Sequence, residues 1–197
     1  MGNTYPIFEI FDSVQGEGFH VGLPGTFIRL TGCNLHCDWC DTKKTWEVKK
    51  EQYQPIQDII SKIKRRYVII TGGEPTLYDL KPLCNQIKDK CDNLKKICVE
   101  TNGTNQIAND TGIDWITCSP KPESGYRIEC VPNELKYVVD REFKPEIIPK
   151  KYHYQIPIWL QPNWQDLQWS TEKAISLVMK NDHLRLGFQL HKYYHIK

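Results

Sequence analysis

The 197-residue sequence has no fourth cysteine near its one dense cysteine cluster, no marked surplus of either charge, and no apolar run of membrane-spanning length. It also has no internal repeat and no low-complexity segment. Lys plus Arg number 26 against 24 Asp plus Glu, a formal charge of +2. That is not the basic field that duplex nucleic acid demands, so no nucleic-acid partner is expected. The opening MGNTYPIFEI lacks a basic segment followed by a long apolar run, and it puts Pro6 where a myristoylation signal takes Ser or Thr. Neither an export signal nor a membrane or lipid anchor is expected, and the reading is cytoplasmic. Nothing marks an interior linker, so residues 1–197 read as a single domain. Hydrophobic residues at 40% and charged residues at 25% supply a full core.

Eight cysteines without a signal peptide point to a reducing compartment, where thiols bind metal or sit as small buried hydrophobes. Five of them, Cys84, Cys91, Cys98, Cys118 and Cys130, are scattered in or beside apolar segments and read as core or surface thiols. The other three, Cys33, Cys37 and Cys40, fall within eight positions of GCNLHCDWCDTKKTW.

Seven short apolar runs punctuate the chain: TFIRL (26–30), YVII (67–70), KICVE (96–100), DWITC (114–118), LKYVV (135–139), IWLQ (158–161) and LRLGFQ (184–189). Nearly continuous hydrophobicity over so few residues predicts strands buried on both faces of a parallel sheet. Helical spacing appears in QPIQDIISKIKRRY (54–67), where Ile56, Ile59, Ile60 and Ile63 share one face. DLKPLCNQIKDKC (79–91) and STEKAISLVMKN (170–181) read similarly, the latter with Ser170 or Thr171 as N-cap. SPKPESGYRIECVPN (119–133) reads as loop.

Strand alternating with helix predicts an α/β fold. The chain is shorter than the ~250 residues of a full eight-unit barrel. An incomplete, TIM-like barrel is therefore expected, with about six parallel strands and outer helices. TGCNLHC, TGGEPT, ETNGT, SPKPE, QPNW and QLHK all sit at run ends. In parallel α/β folds the carboxyl ends of strands form the face that carries the site.

Cys33-x-x-x-Cys37-x-x-Cys40 has no partner pair at zinc-finger spacing, although zinc with a distant fourth cysteine remains an alternative. Three thiolates also hold three irons of a cubane cluster and leave the fourth iron open to a small molecule. In TGGEPT, adjacent glycines permit a close backbone approach to a ligand, and Glu74 or nearby carbonyls can meet an amino group. The alternative is an ordinary turn with Glu74 in the first helical turn.

The CxxxCxxC loop after the first run, Trp39 just before its last cysteine, and the later Gly72-Gly73-Glu74-Pro75 resemble the radical S-adenosylmethionine (SAM) superfamily. Within it the chain resembles the 7-carboxy-7-deazaguanine synthase family over nearly its whole length. The matching pieces are FDSVQGEGFHVGLPGTFIRLTGCNLHCDWCDTKKTW, VIITGGEPTLYDL, ETNGT, SPK, QP and QLHKYYHIK. QGEG and CDT are the most family-specific of these.

That resemblance implies conversion of 6-carboxy-5,6,7,8-tetrahydropterin into 7-carboxy-7-deazaguanine with release of ammonia, a step toward queuosine or another deazapurine. It implies a [4Fe-4S] cluster on Cys33, Cys37 and Cys40, SAM chelating the open iron, Mg²⁺ at Thr42, a flavodoxin-type electron donor and a homodimer. It places Val14, Gln15, Gly16, Arg29, Thr71, His191 and Lys197 at the pterin. Gly73, Glu74, Glu100, Ser119, Pro120, Lys121, Gln161, Pro162 and Asn163 fall where the family contacts SAM. No protein acid or base is implied as catalyst, because the SAM radical does the chemistry.

Some of these positions carry chemistry of their own. A fixed guanidinium at Arg29 suits a planar carboxylate, and Glu17 can accept from an amino and ring N–H pair or merely close its loop. Asp41 and Thr42 can also form a capping pair, and His191 can be a packed histidine. A buried terminus at Lys197 is expected, and Trp169 and Tyr194 are expected to be exposed and to suit an interface. QPNW departs from the family's usual small residue after QP, which puts Trp164 in doubt as a contact. A glycyl-radical-type activating enzyme and a non-catalytic iron-sulfur module stand as alternatives.

Overall fold

The computed structural model describes residues 4–197, so the first three residues of the opening segment read for a leader or anchor lie outside them. In chain order the strands are β1 (Thr4–Val14), β2 (Pro24–Leu30), β3 (Tyr53–Pro55), β4 (Tyr67–Gly72), β5 (Lys96–Thr101), β6 (Trp115–Cys118), β7 (Glu134–Val139), β8 (Ile158–Pro162) and β9 (Leu184–Leu186). The helices are α1 (Ile56–Ile60), α2 (Lys81–Lys90), α3 (Leu167–Val178) and the single turn α4 (Leu190–Tyr193).

All nine strands among the described residues form one sheet in the order β3-β1-β2-β4-β5-β6-β7-β8-β9. From β2 through β9 every neighbouring pair is parallel, and these seven strands are the seven apolar runs of the sequence. The partial barrel therefore has seven parallel strands, where about six are expected. Two antiparallel strands, β1 and β3, extend its first edge. β1 was not legible as a strand because TYPIFEIFDSV mixes apolar with acidic and hydroxyl residues. It lies near the sheet edge, where much of it is only half-buried.

Alternation along each parallel strand divides two kinds of residue. Ile28, Leu30, Val68, Ile70, Ile97 and Val99 point outward and pack with Ile59 of α1 and Leu83 and Ile87 of α2 in one core. Leu135, Tyr137, Val139, Ile158 and Leu160 pack with Ala174 of α3 in a second. Burying each such aliphatic side chain contributes roughly 1.5–3 kcal/mol. The inward positions between them, Phe27, Arg29, Thr71, Glu100, Lys136, Val138 and Gln161, line a cavity instead.

Two helix expectations are corrected. α1 covers only Ile56–Ile60 of the stretch read as helical, because Ser61 Oγ turns back to donate to Asp58 O at 2.8 Å and the chain leaves the helix. Ile63 still reaches the first core. α3 starts at Leu167, so neither Ser170 nor Thr171 is its N-cap. Ser170 is buried and works across the fold, donating to Val139 O and accepting from Asn163 N at 2.7 Å. Residues 119–133 form no strand and no α-helix, as read.

Candidate active site

The cysteine loop leaves β2 and is pinned by its own backbone. Gly32 N donates to Thr45 O at 2.7 Å, and Cys40 N donates to Cys37 O at 3.0 Å. The double glycine lies directly against it. An added Cβ on Gly73 would stand 2.1 Å from Gly32 O, and one on Gly72 (φ +138°) would stand 2.2 Å from Leu30 O. Both glycines are thus required by the approach of one strand end to the next, before any ligand is considered.

Glu74 is corrected by this arrangement. It is fully buried and accepts from Thr76 N at 3.0 Å, Thr76 Oγ1 at 2.6 Å, Thr101 Oγ1 at 2.7 Å and Asn102 N at 2.6 Å. The carboxylate locks the end of β4 to the end of β5 and does not line the cavity. Pro120 is likewise outside the lining, between Ser119 and Lys121, which are in it.

The cavity, about 450 Å³, opens at the carboxyl edge of the parallel strands. Cys33, Cys37, Cys40 and Trp39 line it, together with Thr42 and Asp41. Cys37 Sγ donates to Glu123 Oε2 at 3.2 Å, and Cys40 Sγ lies 3.7 Å from Thr42 Oγ1. Burial, reinforced by Glu123, pushes the Cys37 thiol up to about 12. Burial also raises Cys33. The other five cysteines are elsewhere: Cys84 lies in the first core with Cys91 against it, Cys118 and Cys130 in the second, and Cys98 toward the lower end of the barrel.

The zinc alternative thus has no fourth thiol at this cavity. Among the described residues no three His, Cys, Asp or Glu side chains converge to hold a single metal ion. Three thiols sharing one roomy cavity fit a cluster larger than one ion.

Below the cysteines lies a closed ring of hydrogen bonds. Lys136 Nζ, on an inward position of β7, donates to Glu17 and, at 2.8 Å, to Glu100 Oε2. Gln15 Nε2 donates to Glu100 Oε1 at 3.0 Å, and Gln15 Oε1 accepts from Glu17 N at 3.2 Å. Gln189 Nε2 holds the other Glu17 oxygen at 2.8 Å. Burial alone would raise Glu17, but the Lys136 ammonium overrides it and brings the carboxyl down to about 2. Lys136, destabilised by burial, is in turn held well above its ordinary value by the two carboxylates. Burial lowers Lys121, which donates to Ser119 Oγ at 2.6 Å.

Arg29 faces inward beside Thr71, its partner across β2 and β4. Its Nε donates to Glu9 Oε1 at 3.0 Å, and the residue lines the cavity. An ion pair with Glu9 is thus present together with the inward placement. Phe27 stacks on Phe11, with centroids 5.2 Å apart, and both add apolar lining.

The C-terminal segment closes the rim. Leu190 N donates to Gly16 O at 3.0 Å, and a Cβ on Gly16 would stand 2.4 Å from His191 Nδ1. Burial holds the half-buried His191 below its ordinary value, against the pull of Glu17. Lys192 Nζ pairs with Asp41 at 2.8 Å, so Asp41 ties the cysteine loop to α4 instead of capping with Thr42. Lys197 is exposed, which corrects the expected buried terminus. Its carbonyl accepts from Ser13 Oγ, and its Nζ pairs with Glu9 at 2.6 Å.

The structure therefore gathers Val14, Gln15, Gly16, Arg29, Thr71, His191 and Lys197 around one cavity with Gly73, Glu100, Ser119, Lys121, Gln161, Pro162 and Asn163. Trp164, doubted from the sequence, also lines it and meets Tyr193 edge-on at 5.2 Å. Trp169 is half-buried beneath Arg141 and Lys173, while Tyr194 is exposed.

Sequence reasoning missed Lys136, Gln189, Asn102 and Glu123. Lys136 did carry a signal, because a lysine interrupts LKYVV at an alternate position and an inward cation in a parallel strand needs a partner. Gln189 and Glu123 carry none, since their partners lie 172 and 86 residues away.

Residues 27–121 match the radical SAM superfamily. The 7-carboxy-7-deazaguanine synthase of Synechocystis is 36% identical over 198 residues, covering 96% of this chain and 92% of its own. That of Bacteroides thetaiotaomicron is also 36% identical, over 94% of this chain and 95% of its own. The crystal structure of QueE from Escherichia coli superposes with a TM-score of 0.78 at 30% identity, covering 95% of each chain. With the cysteine triad and glycine pair meeting on a partial barrel, and with such similarity from end to end, this chain belongs to the 7-carboxy-7-deazaguanine synthase family of radical SAM enzymes.

Proposed function

We propose that this chain, as a single radical SAM domain over residues 1–197, converts 6-carboxy-5,6,7,8-tetrahydropterin into 7-carboxy-7-deazaguanine with loss of ammonia, toward queuosine or a related deazapurine. The observation that carries the reading is one cavity lined at once by Cys33, Cys37 and Cys40, by the Arg29 guanidinium and by the Glu17–Lys136–Glu100 ring. Substrate and product differ only by ammonia, so no net oxidant is needed. Family membership favours this over an activating enzyme, whose substrate is a protein, and over a non-catalytic module.

In this reading Cys33, Cys37 and Cys40 hold the [4Fe-4S] cluster, and Gly73, Glu100, Ser119, Lys121, Gln161, Pro162 and Asn163 surround SAM. When bound, that pair would supply the radical chemistry that hydrogen abstraction from the pterin needs. The chain's own groups bind and orient. Arg29 offers a planar fork to the substrate carboxylate. Glu17, kept ionised by Lys136, accepts from the amino and ring N–H groups of the pterin. Gly16 leaves room for His191, which burial favours in its neutral form. Val14, Thr71 and Lys197 complete the enclosure. Phe11, Phe27 and Trp46 give the cavity apolar walls that exclude water. Thr42 would offer its hydroxyl to Mg²⁺, an oxygen-seeking ion.

A flavodoxin-type donor and a homodimer belong to the same reading, as do a cytoplasmic location and the absence of nucleic-acid and membrane partners. The exposed Tyr193 and Tyr194 near the rim suit a subunit contact. No helix among the described residues is long and apolar enough to cross a membrane.

The test is anaerobic reconstitution and reduction, then incubation with SAM and the pterin, with mass spectrometry for 5'-deoxyadenosine and the deazaguanine. Both products should appear, and both should vanish when Cys33, Cys37 or Cys40 is replaced. Deoxyadenosine without deazaguanine would remove the substrate assignment. Thr42→Ala should lower turnover roughly 10–100-fold, the range seen when groups around a metal site are removed, with iron content unchanged. Lost iron would make Thr42 part of cluster assembly instead.

A further inference from the structure

We infer that Lys136 is a positioning residue that couples the two ligands of the cavity, so that pterin and SAM each bind more tightly when the other is present. The inference rests on the functional reading above, which puts Glu17 at the pterin and Glu100 at SAM. The ring joins those two carboxylates through one shared cation. Lys136 is nine-tenths buried along its side chain, and its ammonium bridges Glu17 and Glu100.

Neither carboxylate is free to move alone. The second oxygen of Glu17 is held by Gln189, and the second oxygen of Glu100 by Gln15, whose own carbonyl accepts from the backbone of Glu17. A shift of Glu17 to meet a ligand therefore pulls on Lys136 and Gln15, and both of these end on Glu100.

A ligand that settles on Glu17 fixes the ring in one arrangement. The second ligand then meets a Glu100 already ordered and loses less conformational entropy on binding. By linkage the effect is reciprocal: SAM must tighten the pterin by the same factor. An apolar residue at position 136 would leave two facing carboxylates with Gln15 as their remaining bridge. The mechanical and electrostatic connection through the ammonium would be gone.

The experiment is isothermal titration of SAM into cluster-loaded protein, with and without saturating 6-carboxytetrahydropterin, in the wild type, in Lys136→Met and in Lys136→Met/Glu100→Gln. The double variant removes one carboxylate with the cation, so it keeps the charge balance if the single variant folds poorly. In the wild type the pterin should lower the SAM Kd by roughly 5–150-fold, the usual span of such coupling.

In either variant that ratio should fall well below the wild-type value, to what Gln15 alone can transmit, whatever happens to the individual affinities. Lys136→Arg, which preserves a cation between the carboxylates, should retain it. A role in folding alone would weaken both titrations and leave the ratio intact, and that result overturns the inference. So does a wild-type ratio of one with both ligands bound. Wild-type protein that binds SAM and no pterin at all would instead overturn the substrate assignment, and the inference with it.

Discussion

Glu134 and Lys136 stand two residues apart on β7, face the same interior, and have opposite surroundings. Glu134, at the amino end of the barrel, accepts from Trp115 Nε1 at 3.0 Å, Thr117 Oγ1 at 2.7 Å, Phe19 N at 2.8 Å and Trp159 Nε1 at 2.6 Å. Four neutral donors use up a carboxylate's acceptor capacity of about four sites. The space beside it is about 10 Å³, room for no ligand. Lys136, one pleat higher, opens on about 450 Å³, and the carboxylates it holds keep lone pairs for something else. Burial of charge is common to both ends, and the difference lies in whether its partners are saturated. A saturated buried charge is scaffold, whereas an unsaturated one beside a cavity is a site.

The largest effect should come from removing the cation at the open end. Lys136→Met leaves Glu17 and Glu100 buried without it, a loss of about 3–5 kcal/mol near pH 8. The pH dependence gives the sharper test. In the wild type Glu17 has a depressed folded value, so its contribution is fully present above the unfolded carboxyl value and disappears only as pH falls through about 2. Between pH 8 and 5 this group leaves stability flat. In the variant one of the facing carboxyls must rise above its unfolded value, because like charges disfavour double ionisation. The folded state then binds the extra proton, and stability recovers as pH falls from 8 toward 5. Denaturant midpoints at the two pH values measure it. An equal loss at both would mean that Lys136 acts by packing.

The closed end should lose stability without a change in ligand binding. Glu134→Gln replaces an all-acceptor group with one that points N–H at two of four donors, leaving donors unpaired at a cost of about 2 kcal/mol. Stability should drop while the SAM Kd stays within about twofold of wild type, a change of only ~0.4 kcal/mol. If the SAM Kd moved well beyond twofold, the two ends would not be separate, and the scaffold-versus-site division would fail.

Much of the fold was legible in the sequence, whereas this contrast was hidden for a definable reason. The seven parallel strands were visible because doubly covered strands need unbroken apolar runs, and Arg29 was conspicuous inside one of them. The convergence of strand-end motifs followed from parallel topology alone. Glu74 was misread because its fate depends on Thr101 and Asn102, donors more than twenty residues away that no local pattern announces. The ring was hidden likewise, since it joins residues from β7, β5, the 15–23 hairpin loop and the segment before α4. α1 failed as a length prediction because a single serine competed for the backbone.

The smallest effect should test how the closed end grips the loop that delivers Glu17. Phe19 sits two residues beyond Glu17, about half exposed, with its ring stacked on Trp115 at 4.9 Å and meeting His20 edge-on at 5.4 Å. Phe19→Ala removes that stacking, worth about 1 kcal/mol, and should lower the Tm by about 2–4 °C in a chain of this size. The backbone N–H of residue 19 still reaches Glu134, and an added Cβ at Gly18 would stand 2.7 Å from that same carboxylate. The loop is therefore located by backbone contact with Glu134 and not by the aromatic lid. Pterin and SAM affinities should be unchanged in Phe19→Ala. A weakened pterin alongside an unchanged SAM would show instead that the lid positions Glu17, and the specificity of the open end would then depend on an aromatic contact at the closed one.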